Sequence, residues 1–251
     1  MRRAMIQAHG IELAFEGGPL VLRGVDLSLE RGALVGLIGP PSSGKSVLLK
    51  VLAGLLRPQR GEVRVDGLDL ASAADSALRS ARKGIGMVFQ NNALFDSLTV
   101  FDNVAFPLRR ADQPPDEEEI SRRVLARLAE VGLQGAGALF PHELSGGMQK
   151  RAGIARATVA APRVRLFDDP TAGLDPVTSA RILALITAIH GADPGGVTVV
   201  VSNEMDPLLA AVPRLLMLRD GALIFDDRVD ALGRAPEVAA FVRGEGEEAR
   251  A

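Results

Sequence analysis

The stretch GPPSSGKS at residues 39–46 decides the fold of this chain. It follows ALVGLI (33–38), which is apolar throughout, as expected of a strand covered on both faces, and it precedes the helix-like VLLKVLAGLL (47–56). A G-x-x-x-x-G-K-[ST] motif in that context predicts a phosphate-binding loop, in which backbone N–H groups point at anionic oxygens. A chance glycine-rich turn is the alternative, and the flanking strand and helix count against it.

The residues of this loop have separate expected roles. Lys45 would reach the β- and γ-phosphates of a nucleotide, and Ser46 would ligate Mg²⁺. Pro40 and Pro41 have no N–H group, but they precede the amides that face the phosphates. Ser42 stands where many such loops carry glycine. The predicted phosphate-contacting residues are Gly39, Ser42, Ser43, Gly44, Lys45, Ser46 and Val47.

Composition limits the function classes that fit the chain. Its 251 residues, 47% apolar and 24% charged, are typical of a globular protein with a substantial core. The net charge of −2 implies no general attraction to nucleic acid, and the lack of cysteine excludes disulfides and thiolate metal sites. The N-terminal segment has no signal-peptide core, and no apolar run is long enough to span a membrane. We therefore expect a cytoplasmic protein that meets a membrane only through a partner.

Strand and helix patterns alternate along the chain, except in a helical insertion at about 91–160. A helix is predicted over 116–133, because four apolar residues spaced three or four apart form one stripe. These are Ile120, Val124, Leu128 and Val131. Strands are predicted at 11–15, 25–29, 33–38, 62–66, 86–89, 164–167 and 197–201, with a hairpin around Asp220-Gly221. This order predicts one α/β domain over residues 5–243, followed by a charged tail at 244–251.

Four further motifs follow the phosphate loop. Gln90 ends a strand candidate, LSGGMQKR occupies 144–151, Asp168 and Asp169 end another strand, and GLDP occupies 173–176. Taken alone, LSGGM could be a serine N-cap with glycines in a turn. The order of all five motifs is far more specific than any one of them.

That order resembles the ATP-binding cassette (ABC) family over nearly the whole chain. Within that family, the sequence resembles most the ATPases of MCE-type (mammalian cell entry) lipid transporters, such as the maintenance-of-lipid-asymmetry system. It is carried by GKSVLLK (44–50), FQNNALFDSLTVFDNVAFPLR (89–109) and LSGGMQKRAGIARA (144–157). The resemblance implies a P-loop NTPase fold with a mostly parallel, RecA-like sheet, an antiparallel β subdomain and an inserted helical subdomain.

The resemblance also implies roles for individual residues. Asp168 would hold Mg²⁺ together with Ser46 and Gln90, and Phe15 would stack on the adenine of ATP. A core position is the alternative for Phe15. Ser145, Gly146 and Gly147 would cap the γ-phosphate of ATP bound to a second copy, with Asp175 at the interface. The implied catalytic residues are Lys45, Gln90, Asp169 and Asn203.

Two of these catalytic positions depart from the family pattern. The family usually has glutamate where this chain has Asp169, which is one methylene shorter. It usually has histidine where this chain has Asn203, and asparagine cannot relay a proton. Both departures affect hydrolysis rather than binding. The chain is therefore expected either to hydrolyse ATP slowly or to compensate through a small local shift.

Partners follow from the same resemblance. It implies a membrane permease, a second cassette that forms a homodimer with this one, an MCE substrate-binding protein and a small regulatory subunit. No nucleic acid partner is expected. The subunit would lie on the cytoplasmic face of the inner membrane. Phe95 and Leu98 are candidates for the permease contact, although much of their apolar surroundings would be core. Phe241 and Val242 would anchor the tail on the neighbouring subunit, or the tail would fray.

Three other functions remain open. A non-pumping regulator would use ATP binding as a slow conformational switch. A soluble cassette for DNA repair or translation would usually carry coiled coils or a second cassette, and this chain has neither. A simple P-loop kinase would leave LSGGM and GLDP unexplained.

Overall fold

The computed structural model describes residues 4–91 and 93–245, which form two sheets. The smaller sheet is antiparallel, in the order β2-β1-β4-β5. The larger has the order β10-β9-β3-β8-β7-β6, parallel except for β10. The strands are β1 Ala4–Ala14, β2 Leu20–Glu30, β3 Leu34–Ile38, β4 Arg60–Val65, β5 Leu68–Asp69, β6 Ile85–Val88, β7 Val164–Asp168, β8 Val197–Val201, β9 Arg214–Arg219 and β10 Ala222–Arg228.

Helices cover the parallel sheet and fill the region between β6 and β7. They are α1 Lys45–Leu52, α2 Asp75–Lys83, α3 Val100–Arg109, α4 Glu117–Glu130, α5 Gly146–Thr158, α6 Pro176–Ala192, α7 Met205–Ala211 and α8 Pro236–Val242. The predicted insertion at about 91–160 contains α3, α4 and α5. The α/β fold with a mainly parallel sheet and an antiparallel sheet is confirmed.

Local sequence explains where several helices begin. The side chains of Thr99, Asp116, Ser145 and Asp175 each accept a hydrogen bond from a backbone N–H in the first turn of the helix that follows. In α4 the predicted stripe is buried, and three glutamates occupy the first turn, where the helix dipole favours them. Helix α1 ends at Leu52 rather than at residue 56, and Gly54 follows with a φ of 65°.

Two apolar cores lie on opposite faces of the larger sheet. In β3, Leu34 and Ile38 face the core formed with α3 to α8, whereas Val35 and Leu37 face the core formed with α1 and the smaller sheet. All five residues of β3, β7 and β8 are buried. The buried parallel strands place their carboxyl ends at one edge, where loops carry polar side chains.

The C-terminal helix α8 packs on this chain's own core. Phe241 of α8 is buried in this chain's own core with Val238, and Val242 packs against the same core. Residues 246–251 of the predicted tail lie outside the described residues.

Candidate nucleotide site

The loop between β3 and α1 depends on two glycines at positions of close backbone contact. Gly39 has a φ of 148°, and a Cβ there would lie 1.9 Å from the Leu218 carbonyl oxygen. Gly44 has a φ of 103°, and its Cβ would lie 2.9 Å from the Val21 carbonyl oxygen. Ser42 also has a positive φ, 62°, which explains why glycine is common at this position.

Lys45 crosses the mouth of this loop. Its Nζ donates hydrogen bonds to the carbonyl oxygens of Gly39 (2.7 Å) and Pro40 (2.8 Å). Burial lowers the pKa of Lys45, and the carboxylates of Asp169 and Asp168 raise it. An ammonium group has three donors, so one remains for an anion above the loop.

Ser43 supplies a second feature that fits a phosphate. Its hydroxyl is buried and makes no hydrogen bond within the described residues. Buried hydroxyls without a partner are uncommon, because desolvation without a hydrogen bond is costly. A phosphate oxygen in the loop would satisfy it.

The oxygens suited to a metal ion meet at the start of α1. Ser46 Oγ donates to Asp168 Oδ1 at 2.9 Å, which joins residues from α1 and the end of β7. Burial raises the pKa of Asp168, while the Ser46 hydrogen bond and the charges of Lys50 and Lys45 lower it. A hydroxyl and one carboxylate fit Mg²⁺, which usually takes its remaining ligands from water and substrate phosphates.

These groups surround one cavity of about 610 Å³. Its lining includes the predicted residues Gly39, Ser42, Lys45, Ser46, Gln90, Asp168, Asp169 and Asn203. Met205, Phe241, Val242 and Gly244 also line it and were not predicted to do so. Ser43, Gly44 and Val47 belong to the same loop and the first turn of α1.

Asp169 and Asn203, the two departures from the family pattern, contact each other. Asn203 Nδ2 donates to Asp169 Oδ2 at 2.8 Å, and Thr171 Oγ1 donates to Asp169 Oδ1 at 3.4 Å. The Thr171 hydroxyl is also 3.0 Å from that of Ser202. Sequence reasoning treated the departures as separate losses, whereas in the fold the asparagine amide holds the shorter carboxylate.

The surroundings of Asp169 include a residue that sequence reasoning missed. Asp169 is only 7% exposed, and burial raises its pKa; the charge of Lys150 is the largest influence in the opposite direction. Lys150 lies in α5, in the second half of the LSGGMQKR motif. No sequence signal places it near Asp169, because the proximity depends on how α5 packs against the sheet.

The serine-glycine motif lines a different cavity. Ser145 caps α5, and its Oγ accepts from Met148 N–H at 3.3 Å. Ser145 and Gly147 share a cavity of about 590 Å³ with Asp175, which caps α6. The first-turn N–H groups of α5 make this helix start suitable for an anion. Within one chain this half-site is separate from the phosphate loop.

Two predicted contact residues are at the surface. Phe15 follows β1 and is 53% exposed, so the alternative of a core phenylalanine is wrong. Phe95 is 42% exposed, with its ring 4.8 Å from that of Phe106 and the Arg156 guanidinium 5.6 Å above it. Leu98 is half-buried.

Among the described residues, no helix has the length and apolar character needed to cross a membrane.

Comparison with known proteins decides the family. Residues 22–172 match the family described as ABC transporter. The chain is an ABC transporter ATPase. The predicted family is thereby confirmed, and the alternative of a simple P-loop kinase is excluded.

The relatives of this ABC ATPase are named for the transport of different substrates. It is 37% identical over 93% of its length to the intermembrane phospholipid transport system ATP-binding protein MlaF of Haemophilus influenzae, covering 89% of that protein. It is 40% identical over 88% of its length to the methionine import ATP-binding protein MetN of Leifsonia xyli subsp. xyli, covering 65% of that protein. The family is therefore shared, but the substrate differs between relatives.

A solved structure gives the same fold. The ATP-binding cassette MJ0796, a dimer in a post-hydrolysis state bound to ADP and Pi, has a TM-score of 0.83 and 31% identity. The similarity covers 90% of this ABC ATPase and 99% of the MJ0796 chain.

Proposed function

We propose that this ABC ATPase binds ATP with Mg²⁺ and powers phospholipid movement through a membrane permease of the MCE type. The ATP site rests on one observation: the phosphate loop, the Ser46–Asp168 pair and Gln90 line one cavity. The lipid assignment rests on the similarity to MlaF, which extends over nearly the full length of both proteins.

The shared nucleotide site is part of the same proposal. ATP in the phosphate loop would have Lys45 and the loop amides around its phosphates, Ser46, Asp168 and Gln90 around Mg²⁺, and Phe15 against adenine. Ser145, Gly146 and Gly147 of a second copy would then close over the γ-phosphate. The separation of the two cavities within one chain supports this arrangement.

Slow hydrolysis is the expected consequence of the Asp169–Asn203 contact. Asn203 donates to the carboxylate that would otherwise orient the attacking water. The shorter carboxylate of Asp169 would lie about 1 Å farther from the γ-phosphate than that of a glutamate, and such a displacement can cost roughly a hundredfold in rate. A regulatory subunit with little turnover is the second candidate function, favoured by this same contact.

The remaining partners follow from the MCE assignment. The subunit would sit on the cytoplasmic face of the inner membrane, held there by the permease. An MCE substrate-binding protein and a small regulatory subunit would complete the assembly.

The substrate can be tested on the native complex. The complex would be purified with its membrane partner and analysed for bound phospholipid, ATP turnover and phospholipid transfer between vesicles. We expect bound phospholipid and transfer that depends on ATP. Methionine uptake without lipid transfer would instead support the function named for MetN, and a lipid-bearing complex without turnover would support the regulator.

A further inference from the structure

Two basic side chains of helix α5 donate hydrogen bonds to the backbone of the chain that follows β6. Lys150 Nζ donates to the backbone oxygen of Gln90 at 2.5 Å, and Arg156 Nη1 donates to the backbone oxygen of Ala93 at 2.6 Å. Six residues of helix correspond to about 9 Å along the axis. Ala93 has a φ of 49°, an uncommon conformation for alanine. The hydrogen bond from Arg156, rather than the preference of alanine itself, therefore stabilises this backbone conformation.

Lys150 is unusual for a lysine on a helix. Only 6% of it is exposed, and burying an ammonium group is costly unless it is hydrogen-bonded. A lysine whose only role was to cover apolar surface would keep its ammonium group in water. Here the charge is instead placed beside Gln90 and near Asp169, both of which line the nucleotide cavity.

We propose that Lys150 is a positioning residue for ATP hydrolysis, whose ammonium group fixes the Gln90 backbone so that the Gln90 side chain faces the reacting phosphate. This inference rests on the proposed ATP site. Lys150 touches neither nucleotide nor metal in this arrangement and acts through Gln90. Ser145, which caps its helix, is placed by the proposal on the nucleotide of the other copy, so a shift of α5 there would also move Gln90 of its own site.

The test compares ATP turnover with ATP affinity in the full-length chain. Lys150→Met removes the donor and the charge at similar size, whereas Lys150→Arg keeps both. We expect Lys150→Met to lower kcat about tenfold, since misplacement of a positioned group by a fraction of an ångström is costly, with the Kd for ATP unchanged. Lys150→Arg should recover most of the rate. Backbone amides at 91 and 93–95 should exchange hydrogen faster in Lys150→Met.

Lys83→Met is the matched control, because Lys83 pairs with Asp112 at the surface. The inference is overturned if Lys150→Met turns over like the wild type, if Lys150→Arg is as impaired as Lys150→Met, or if kcat and ATP affinity fall together. If Lys150→Met does not fold, Lys150→Gln is measured by the same criteria. Failure of the proposed function is distinct, since the wild-type chain would then not bind ATP.

Discussion

At the residue scale, Asp169 and Asn203, the two departures from the family pattern, form one hydrogen-bonded pair and act together. A carboxylate that accepts from both an asparagine amide and a threonine hydroxyl is fixed in direction. Asp169 itself has a φ of 46°, so its backbone is constrained as well. Because the two side chains are in contact, changing one alters the hydrogen bonding of the other, and the effects of the two changes should not add.

We predict that Asp169→Glu with Asn203→His raises kcat by roughly tenfold to a hundredfold, because the longer carboxylate recovers about 1 Å of reach. Each single change should give less than the pair. The Kd for ATP should stay the same, because the loop and the Ser46–Asp168 pair are untouched. Steady-state turnover of the assembled transporter measures this, with the surface change Asp112→Glu as control. An unaltered rate in the double variant would contradict slow hydrolysis at this site.

At the scale of elements, the segment between β6 and α3 connects the nucleotide cavity to the exposed aromatic ring of Phe95. The buried Asn103 side chain accepts from Phe95 N–H and donates to the carbonyl oxygens of Phe95, Leu98 and Thr99. This network, together with the Arg156 contacts, holds Ala93 and residues 95–99 against α3 and α5, and the Phe95 ring is exposed. The exposed ring therefore lies on the stretch of chain that follows Gln90, which lines the nucleotide cavity.

Phe95→Asp tests whether this segment grips the permease. We expect the variant to lose the permease on co-purification while binding ATP normally, since a charge would be buried against an apolar partner. Leu125→Asp is the matched control, because Leu125 is also an exposed apolar residue, 57% exposed, on a different element, α4. Equal recovery of the permease with both variants would place the contact elsewhere.

At the scale of the whole molecule, the two halves of the nucleotide site open into different cavities of one chain. The phosphate loop borders one cavity, and the start of α5 borders the other with Asp175. MJ0796, which has the same fold, is a dimer. Two copies arranged so that each closes the other's site would use both cavities.

Mixing two inactive variants tests this arrangement. Lys45→Ala removes the phosphate contact of one copy, and Ser145→Arg blocks the helix start of the other. Each variant alone should be inactive, but a mixed dimer has one intact site, so the mixture should recover turnover. Two differently tagged Lys45→Ala preparations, mixed in the same way, should stay inactive. No recovery in the first mixture would contradict a site shared between copies.

The sequence by itself determined the phosphate loop, the buried parallel strands and the helix starts, because these depend on neighbouring residues. The motif at 39–46, the fully apolar strand before it and the caps at Asp116 and Ser145 all depend on residues within a few positions of each other in the chain. Only the tertiary structure decided the contact of Asp169 with Asn203, the burial of Lys150 against Gln90 and the packing of Phe241. Each of these joins residues far apart in sequence, whose proximity depends on how the helices pack on the sheet.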